Sequence, residues 1–177
     1  MKRSYRRDIL SERKGFREGH IYGKNQRHAY SRSEKITYVP HEYDPGTTDG
    51  RSVAALTGRE ASTVFKTLVT VGASKRNYVF VIPVCLELDL KKAAKAVGEK
   101  SIAMIKQAEL LPLTGYVHGG CSPVGMKKQF PTVIHQSAAE LPQILVSAGR
   151  IGAQVELSPA DLAKLVRARF DFVAAEA

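Results

Sequence analysis

The sequence has little cysteine. Cys85 and Cys121 are the only two in 177 residues, and neither has a second Cys or His at a metal-ligand spacing. A zinc site and a disulfide framework are therefore not implied, and reduced thiols are expected. No apolar run reaches membrane-spanning length, and charges stand at the N-terminus where a signal peptide needs its apolar stretch. No membrane association follows, and the cytoplasm is the expected location. The H-E-x-x-H, Walker A and G-x-G-x-x-G patterns are all missing, so the chain lacks the signatures of zinc peptidases, P-loop proteins and dinucleotide-binding domains. Internal repeats and low-complexity tracts are also absent.

Acidic residues are in deficit, with 27 Lys and Arg against 17 Asp and Glu, a net charge of +10. The excess is uneven. Residues 1–35 hold 11 basic and 4 acidic residues, and the other 142 carry a net of only +3. A nucleic-acid partner fits this balance, although the main body alone is only mildly cationic. Residues 1–33 show no sustained apolar period. They read as a disordered or loosely attached arm, or as a basic arm drawn to RNA phosphates.

From residue 34 to 177 the texture is that of one domain. Ile36 to Asp44 reads as a strand, with Pro40 arguing for an edge. Asp49 can cap a short helix through Leu56 that Gly58 ends, and a helical turn from Glu60 to Phe65 runs into a strand. TLVTVG and NYVFVIPV, joined by Ala73 to Arg76, predict a hairpin. Asp89 starts a helix whose apolar stripe is Leu90, Ala93, Ala94 and Val97, with Gly98 at its end. Ser101 to Ile105 reads as a short strand, and Lys106 to Leu111 as a helical turn or loop. FPTVIHQ, QILVSAG and AQVELS are β-rich. Ser158-Pro159-Ala160-Asp161 opens a last helix, with Leu162, Leu165, Val166 and Phe170 on one buried face. Most adjacent strands are too closely connected for parallel crossovers. The expected fold is α+β, with a mixed, mainly antiparallel β-sheet covered by helices.

Three places can carry chemistry. The run Thr114 to Thr132, TGYVHGGCSPVGMKKQFPT, holds four glycines and two prolines. Gly119-Gly120 is either a sharp turn or a place where backbone N–H groups receive an anion. Lys66, flanked by apolar residues, stands either at the mouth of a cleft or at an element end with its stem buried. Cys121 is either a nucleophile served by His118 or His135, or a packed small apolar group.

FKTLV, LDLKKAAKAVG, TGYVHGGCSPVGMKKQFPT, VSAGRIGAQVEL and SPADLAKLV occur together in the order and spacing of the YbaK family. The resemblance covers about Lys35 to Phe172. That family comprises Cys-tRNA(Pro) deacylases related to the editing domain of bacterial prolyl-tRNA synthetases. By resemblance, Lys66 holds the 3′ end of the aminoacyl-tRNA, and Gly119 and Gly120 receive the substrate carbonyl on backbone amides. Ser122 and Pro123 complete the GG-x-SP pattern, while Tyr43 and Ser147 join the substrate site. Gln154 stands where some members have aspartate, and Cys121 stands where a branched apolar residue is expected, which favours its packing role.

The resemblance implies a reaction without protein nucleophile, metal or organic cofactor, in which the substrate thiol closes on its own carbonyl and expels the tRNA. The implied partners are mischarged tRNA(Pro) and prolyl-tRNA synthetase. An Ala-tRNA(Pro) deacylase, a non-catalytic tRNA-binding module and a thiol hydrolase using Cys121 are the alternatives. His41, His118 and His135 are bystanders in this reading. The likeness stops before Ser33, where relatives have an amphipathic helix. Residues ahead of it are accordingly expected to reflect a frameshift or a misassigned start.

Overall fold

The computed structural model describes residues 36–176. The expectations for residues 1–33 lie outside them.

Two sheets share the core. The first is three-stranded, in the order β1, β8, β7. Its strands are β1 (Tyr38–Glu42), β7 (Ile144–Ser147) and β8 (Ala153–Leu157), all antiparallel. Pro40 is accommodated because β1 is an edge strand. The second sheet has five strands in the order β5, β2, β3, β6, β9. Here β2 (Phe65–Gly72) and β3 (Asn77–Pro83) form the expected hairpin, with Lys66 opposite Ile82. The short β5 (Ile102–Met104) pairs antiparallel with the far end of β2. On the other side, β6 (Thr132–His135) and β9 (Arg169–Asp171) continue the sheet in parallel. A small ladder joins β4 (Glu87–Leu88) to β10 (Ala174–Ala175).

The helices cover what the strands leave open. α1 (Gly50–Leu56) starts where the Asp49 carboxylate accepts the Ser52 N–H at 2.9 Å. α2 (Leu90–Val97) is capped by Asp89 and ended by Gly98 in the left-handed region at φ +72°. α3 (Gln107–Thr114) runs beyond the expected turn and carries Pro112 within it. α4 (Pro159–Val166) has Ser158 as its N-cap.

The largest core lies between the two sheets and α4, with Phe65, Val69, Val81 and Ile134 against Val146, Val155, Leu157 and Leu162. On the outer face of the five-stranded sheet, Phe80, Ile82 and Val133 pack under Ala93 and Ala94 of α2. A third cluster joins Ala54 of α1 to Val64, Val84 and Leu145. Each large apolar side chain buried in this way contributes about 1.5–3 kcal/mol, so the sheet floor is a stable platform for a site.

Several local expectations need correction. α4 stops at Val166, because Arg167 turns into the left-handed region at φ +53°. Phe170 therefore sits in β9, still packed against the main core, and not on the helix. Leu90, at the first position of α2, is exposed, and only Ala93 and Ala94 of that helix are buried. The segment before β2 is a short 3-10 turn, Ala61–Thr63, and the strand begins one residue before Lys66.

Candidate active site

Strand register places Lys66, Ser147 and Gln154 together. Val64 and Leu145 form an isolated parallel bridge and share a small apolar cluster, so their side chains point to the same side. Two residues further along each chain stand Lys66 and Ser147, which period-2 alternation returns to that side. Ser147 is opposite Gln154 in the β7–β8 ladder, and Gln154 is opposite His41 across β1. Lys66 thus lies in the interval between the cluster under α1 and the cluster under α2.

The polar groups here differ in what they touch. Lys66 Nζ donates to Glu87 Oε1 at 3.0 Å, with 27% of the lysine side chain and 64% of the glutamate exposed. Ser147 Oγ accepts the Gly149 N–H at 3.2 Å, closing the start of the β7–β8 connection. Gln154 is buried, and its Oε1 has no hydrogen-bond partner among the described residues. An unmet buried acceptor costs about 1–3 kcal/mol. His41 is committed elsewhere, its Nε2 lying 2.7 Å from Glu156 Oε2.

The glycine loop packs on the connection between those same strands. The Gly120 N–H donates to Val117 O at 3.0 Å, and Gly119 has φ +83° while His118 does not enter the left-handed region. This is a type II turn, which demands a residue such as glycine at its third position. A Cβ on Gly119 would lie 2.4 Å from Thr48 Cγ2, and one on Gly120 would lie 3.1 Å from the Arg150 and Ile151 backbone. Behind it, the Tyr43 N–H donates to Gly152 O at 3.0 Å. Tyr43, Thr48, Gly119, Gly120 and the Arg150–Gly152 segment are thereby assembled at one end of the three-stranded sheet.

Three of the expected site residues have local partners of their own in the loop. Gly120 cannot offer its amide to a carbonyl in this conformation, because the turn already uses it. Among the described residues, no acceptor takes the N–H of Gly119 or Cys121, so the loop retains donors on either side of Gly120. Ser122 is wholly buried, and its Oγ accepts the Val124 N–H at 3.1 Å, which shapes the loop from within. Pro123 is buried too and lines a separate cavity of about 330 Å³ that also touches Phe130, Leu165 and Val166. Ser122 and Pro123 therefore build the loop rather than face Lys66.

The thiol alternative finds no support. Burial pushes the Cys121 thiol up to about 12, so it stays protonated at neutral pH. His118 is exposed, and His135 is buried in β6 with its Nδ1 accepting the Val173 N–H at 3.2 Å. Burial, with a smaller contribution from the Lys92 charge, lowers the His135 pKa and keeps the ring neutral. Among the described residues, no group of three or more His, Cys, Asp or Glu could hold a metal ion, and no helix is long and apolar enough to cross a membrane.

Glu87 and Thr48 are site neighbours that sequence reasoning missed. One pairs with Lys66 from a two-residue strand and the other packs on Gly119 from a loop, and neither carries a periodic or motif signal.

Residues 44–165 match the sequence profile of the Aminoacyl-tRNA editing domain. The chain belongs to this family. A relative from Enterococcus faecalis, which carries the name Cys-tRNA(Pro)/Cys-tRNA(Cys) deacylase EbsC, is 45% identical over 138 residues, covering 77% of this chain and 84% of that protein. Among solved structures, a protein described as a candidate trans-editing enzyme for prolyl tRNA synthetase superposes with a TM-score of 0.75 at 25% identity, over 86% of this chain and 98% of the other. A hypothetical protein, APE2540, superposes with a TM-score of 0.77 at 23% identity, over 85% of this chain and 99% of that one, a likeness of fold. The editing-domain fold of mixed sheet and covering helices agrees with the α+β expectation.

Proposed function

We propose that this editing-domain protein is a trans-acting deacylase that removes cysteine from mischarged tRNA(Pro). The observation that carries the reading is the placement of Lys66 beside Ser147 and Gln154 in an editing-family chain, with no activated side-chain nucleophile near them among the described residues. An aminoacyl-tRNA is an activated ester, so orientation and oxyanion stabilisation suffice for its cleavage.

In this mechanism Lys66 holds the terminal phosphate or ribose by charge, exchanging Glu87 for the tRNA. The ester carbonyl faces the Gly119–Gly120 loop, whose unengaged amides, those of Gly119 and Cys121, receive the developing oxyanion. Each such donor is worth a factor of about 10²–10³ in rate. Gly120 serves by having no side chain, and Tyr43 and Gln154 border the substrate. The substrate sulfur bonds to its own carbonyl carbon, the ester C–O bond breaks, and the thiol proton leaves with the ribose oxygen. Water then opens the cyclic thioester to free cysteine. No metal or organic cofactor enters, and prolyl-tRNA synthetase is the candidate protein partner.

The test is release of amino acid from Cys-tRNA(Pro), Cys-tRNA(Cys) and Ala-tRNA(Pro) by wild type, Lys66→Ala and Cys121→Ser. Cysteine release that fails in Lys66→Ala and survives in Cys121→Ser supports the proposal. Preferential alanine release makes it an Ala-tRNA(Pro) deacylase, and tRNA binding without release makes it a non-catalytic module.

A further inference from the structure

The outer face of α2 is not an ordinary solvated helix surface. At 100° per residue, Lys91, Lys95 and Lys92 fall within an arc of about 100° opposite the buried Ala93 and Ala94. A face kept merely soluble commonly alternates signs at i,i+4 spacing. This one does not. Lys92 Nζ lies 3.8 Å from the cap residue Asp89, which also feels the Lys91 charge, and among the described residues Lys91 and Lys95 form no salt bridge.

Four carboxylates nearby are engaged, while the exposed Glu176 follows β10, whose Ala175 pairs with Glu87. Glu87 holds Lys66, Asp89 caps the helix, Glu99 accepts from Ser74 and Tyr78, and Asp171 Oδ1 accepts the Phe172 N–H. Arg169 adds another exposed cation on the same side. It is in register with Val133, which packs under α2, and has no acidic partner among the described residues.

An exposed aromatic ring stands at the N-terminal end of this face. Phe172 is 65% exposed, more than any other large apolar side chain among the described residues. Its ring is held edge-on against His135, with centroids 6.0 Å apart. The next residue, Val173, accepts the Asp89 N–H through its carbonyl at 2.9 Å, so the ring is anchored beside the helix start. Only Leu88 and Asp89 separate α2 from Glu87, the residue that holds Lys66. The start of α2 thus links the cations along the helix to an aromatic ring beside it and to the candidate active-site lysine held by Glu87 just before it.

We infer that this surface, made of Lys91, Lys95, Arg169 and Phe172, is an RNA contact that guides the single-stranded end of the tRNA toward Lys66. The lysines and Arg169 take backbone phosphates, and Phe172 stacks on an unpaired base. This combination binds single strands without reading their sequence. The inference rests on the deacylase reading, and it assigns to α2 a part in tRNA binding separate from the chemistry.

The test measures binding of uncharged tRNA(Pro) by fluorescence anisotropy across a salt series, together with deacylation of Cys-tRNA(Pro), for wild type, K91Q/K95Q, F172A and F172W. Matching circular-dichroism melts show that each variant is folded. K91Q/K95Q is expected to weaken binding about tenfold at moderate salt and to make the log–log salt slope shallower by about two, with kcat retained. F172A is expected to weaken binding about tenfold with the slope unchanged, and F172W to restore it. Folded variants that bind tRNA with wild-type affinity and slope overturn the inference while leaving the deacylase reading intact. Variants that keep tRNA binding but lose a complex with prolyl-tRNA synthetase also overturn it, making the face a protein-docking surface. A wild type that binds tRNA with the expected variant pattern, yet releases no amino acid, upholds the RNA contact and defeats the parent reading.

Discussion

Lys66 and Glu87 are 21 residues apart in sequence, yet the lysine ammonium lies 3.0 Å from the carboxylate. A carboxylate in that position competes with an incoming phosphate for the same charge. Glu87→Gln is therefore expected to lower the KM for charged tRNA by about twofold to fivefold, the range of an exposed ion pair. Lys66→Met is expected to raise KM and to make the salt dependence of kcat/KM shallower by about one. Steady-state deacylation at several salt concentrations checks both.

Gly119 carries two constraints, its left-handed backbone and the approach of Thr48. Gly119→Ala should destabilise the fold by about 1–3 kcal/mol through the strained φ alone. Thr48→Ser removes the Cγ2 methyl that the new Cβ would meet at 2.4 Å. The double variant should recover part of the lost Tm and leave the backbone component together with the 2.8 Å contact to the Cβ of residue 48. Gly120→Ala meets backbone rather than a side chain, so Thr48→Ser should not rescue it. Thermal melts of Gly119→Ala, Gly120→Ala, Thr48→Ser and the two double variants test this.

Cys121 is expected to be chemically silent in the folded protein. With its pKa raised to about 12 by burial, it should resist a thiol reagent at pH 8, whereas the partly exposed Cys85 reacts. One thiol should titrate in buffer and two in denaturant. Fast reaction of both in buffer would contradict the buried assignment.

His135 gives the fold a pH dependence whose sign is fixed by its surroundings. It is buried beside Phe172, shares its register position with Asp171 and feels the Lys92 charge. Its folded pKa lies below the unfolded value of 6.5, so the unfolded chain binds the proton more readily. This contribution is fully present above pH 6.5 and is lost as pH falls from 6.5 through the folded pKa. Thermal melts between pH 5 and 7.5 should show Tm falling on the acid side, with a smaller fall in His135→Gln.

Much of this architecture was legible in the chain. The β2–β3 hairpin is written in two alternating runs around a short polar turn, and α2 in Asp89 and Gly98 at its ends. What could not be read depends on contacts distant in sequence. Lys66 reaches Ser147 through a parallel approach of β2 and β7, which has no turn or period to announce it. β4, β9 and β10 have two or three residues each, too few to show alternation. α4 ends at Arg167, a left-handed residue that is not glycine, so nothing in the sequence marked the stop before Phe170. The glycine loop stood out by composition, but composition could not tell that Ser122 and Pro123 face inward while Gly119 faces Thr48.

Gln154 offers a way to separate function from stability. Its unpartnered Oε1 is buried at the centre of the three-stranded sheet. Gln154→Met removes an unmet acceptor at nearly constant volume, so the Tm should hold or rise. Deacylation should nevertheless fall, through KM or kcat, if the amide touches the substrate. A variant that is both stable and fully active would remove Gln154 from the site.

The central claim is that the substrate's own thiol performs the attack, and replacing that sulfur tests it most directly. Single-turnover release of amino acid is measured from Cys-tRNA(Pro) and from tRNA(Pro) charged with serine, at one enzyme concentration and pH. Cysteine release faster than serine release by about a hundredfold or more, with Cys121→Ser matching wild type, is the predicted result. Equal rates for the two amino acids would contradict the account, because they would place the attacking group outside the substrate side chain.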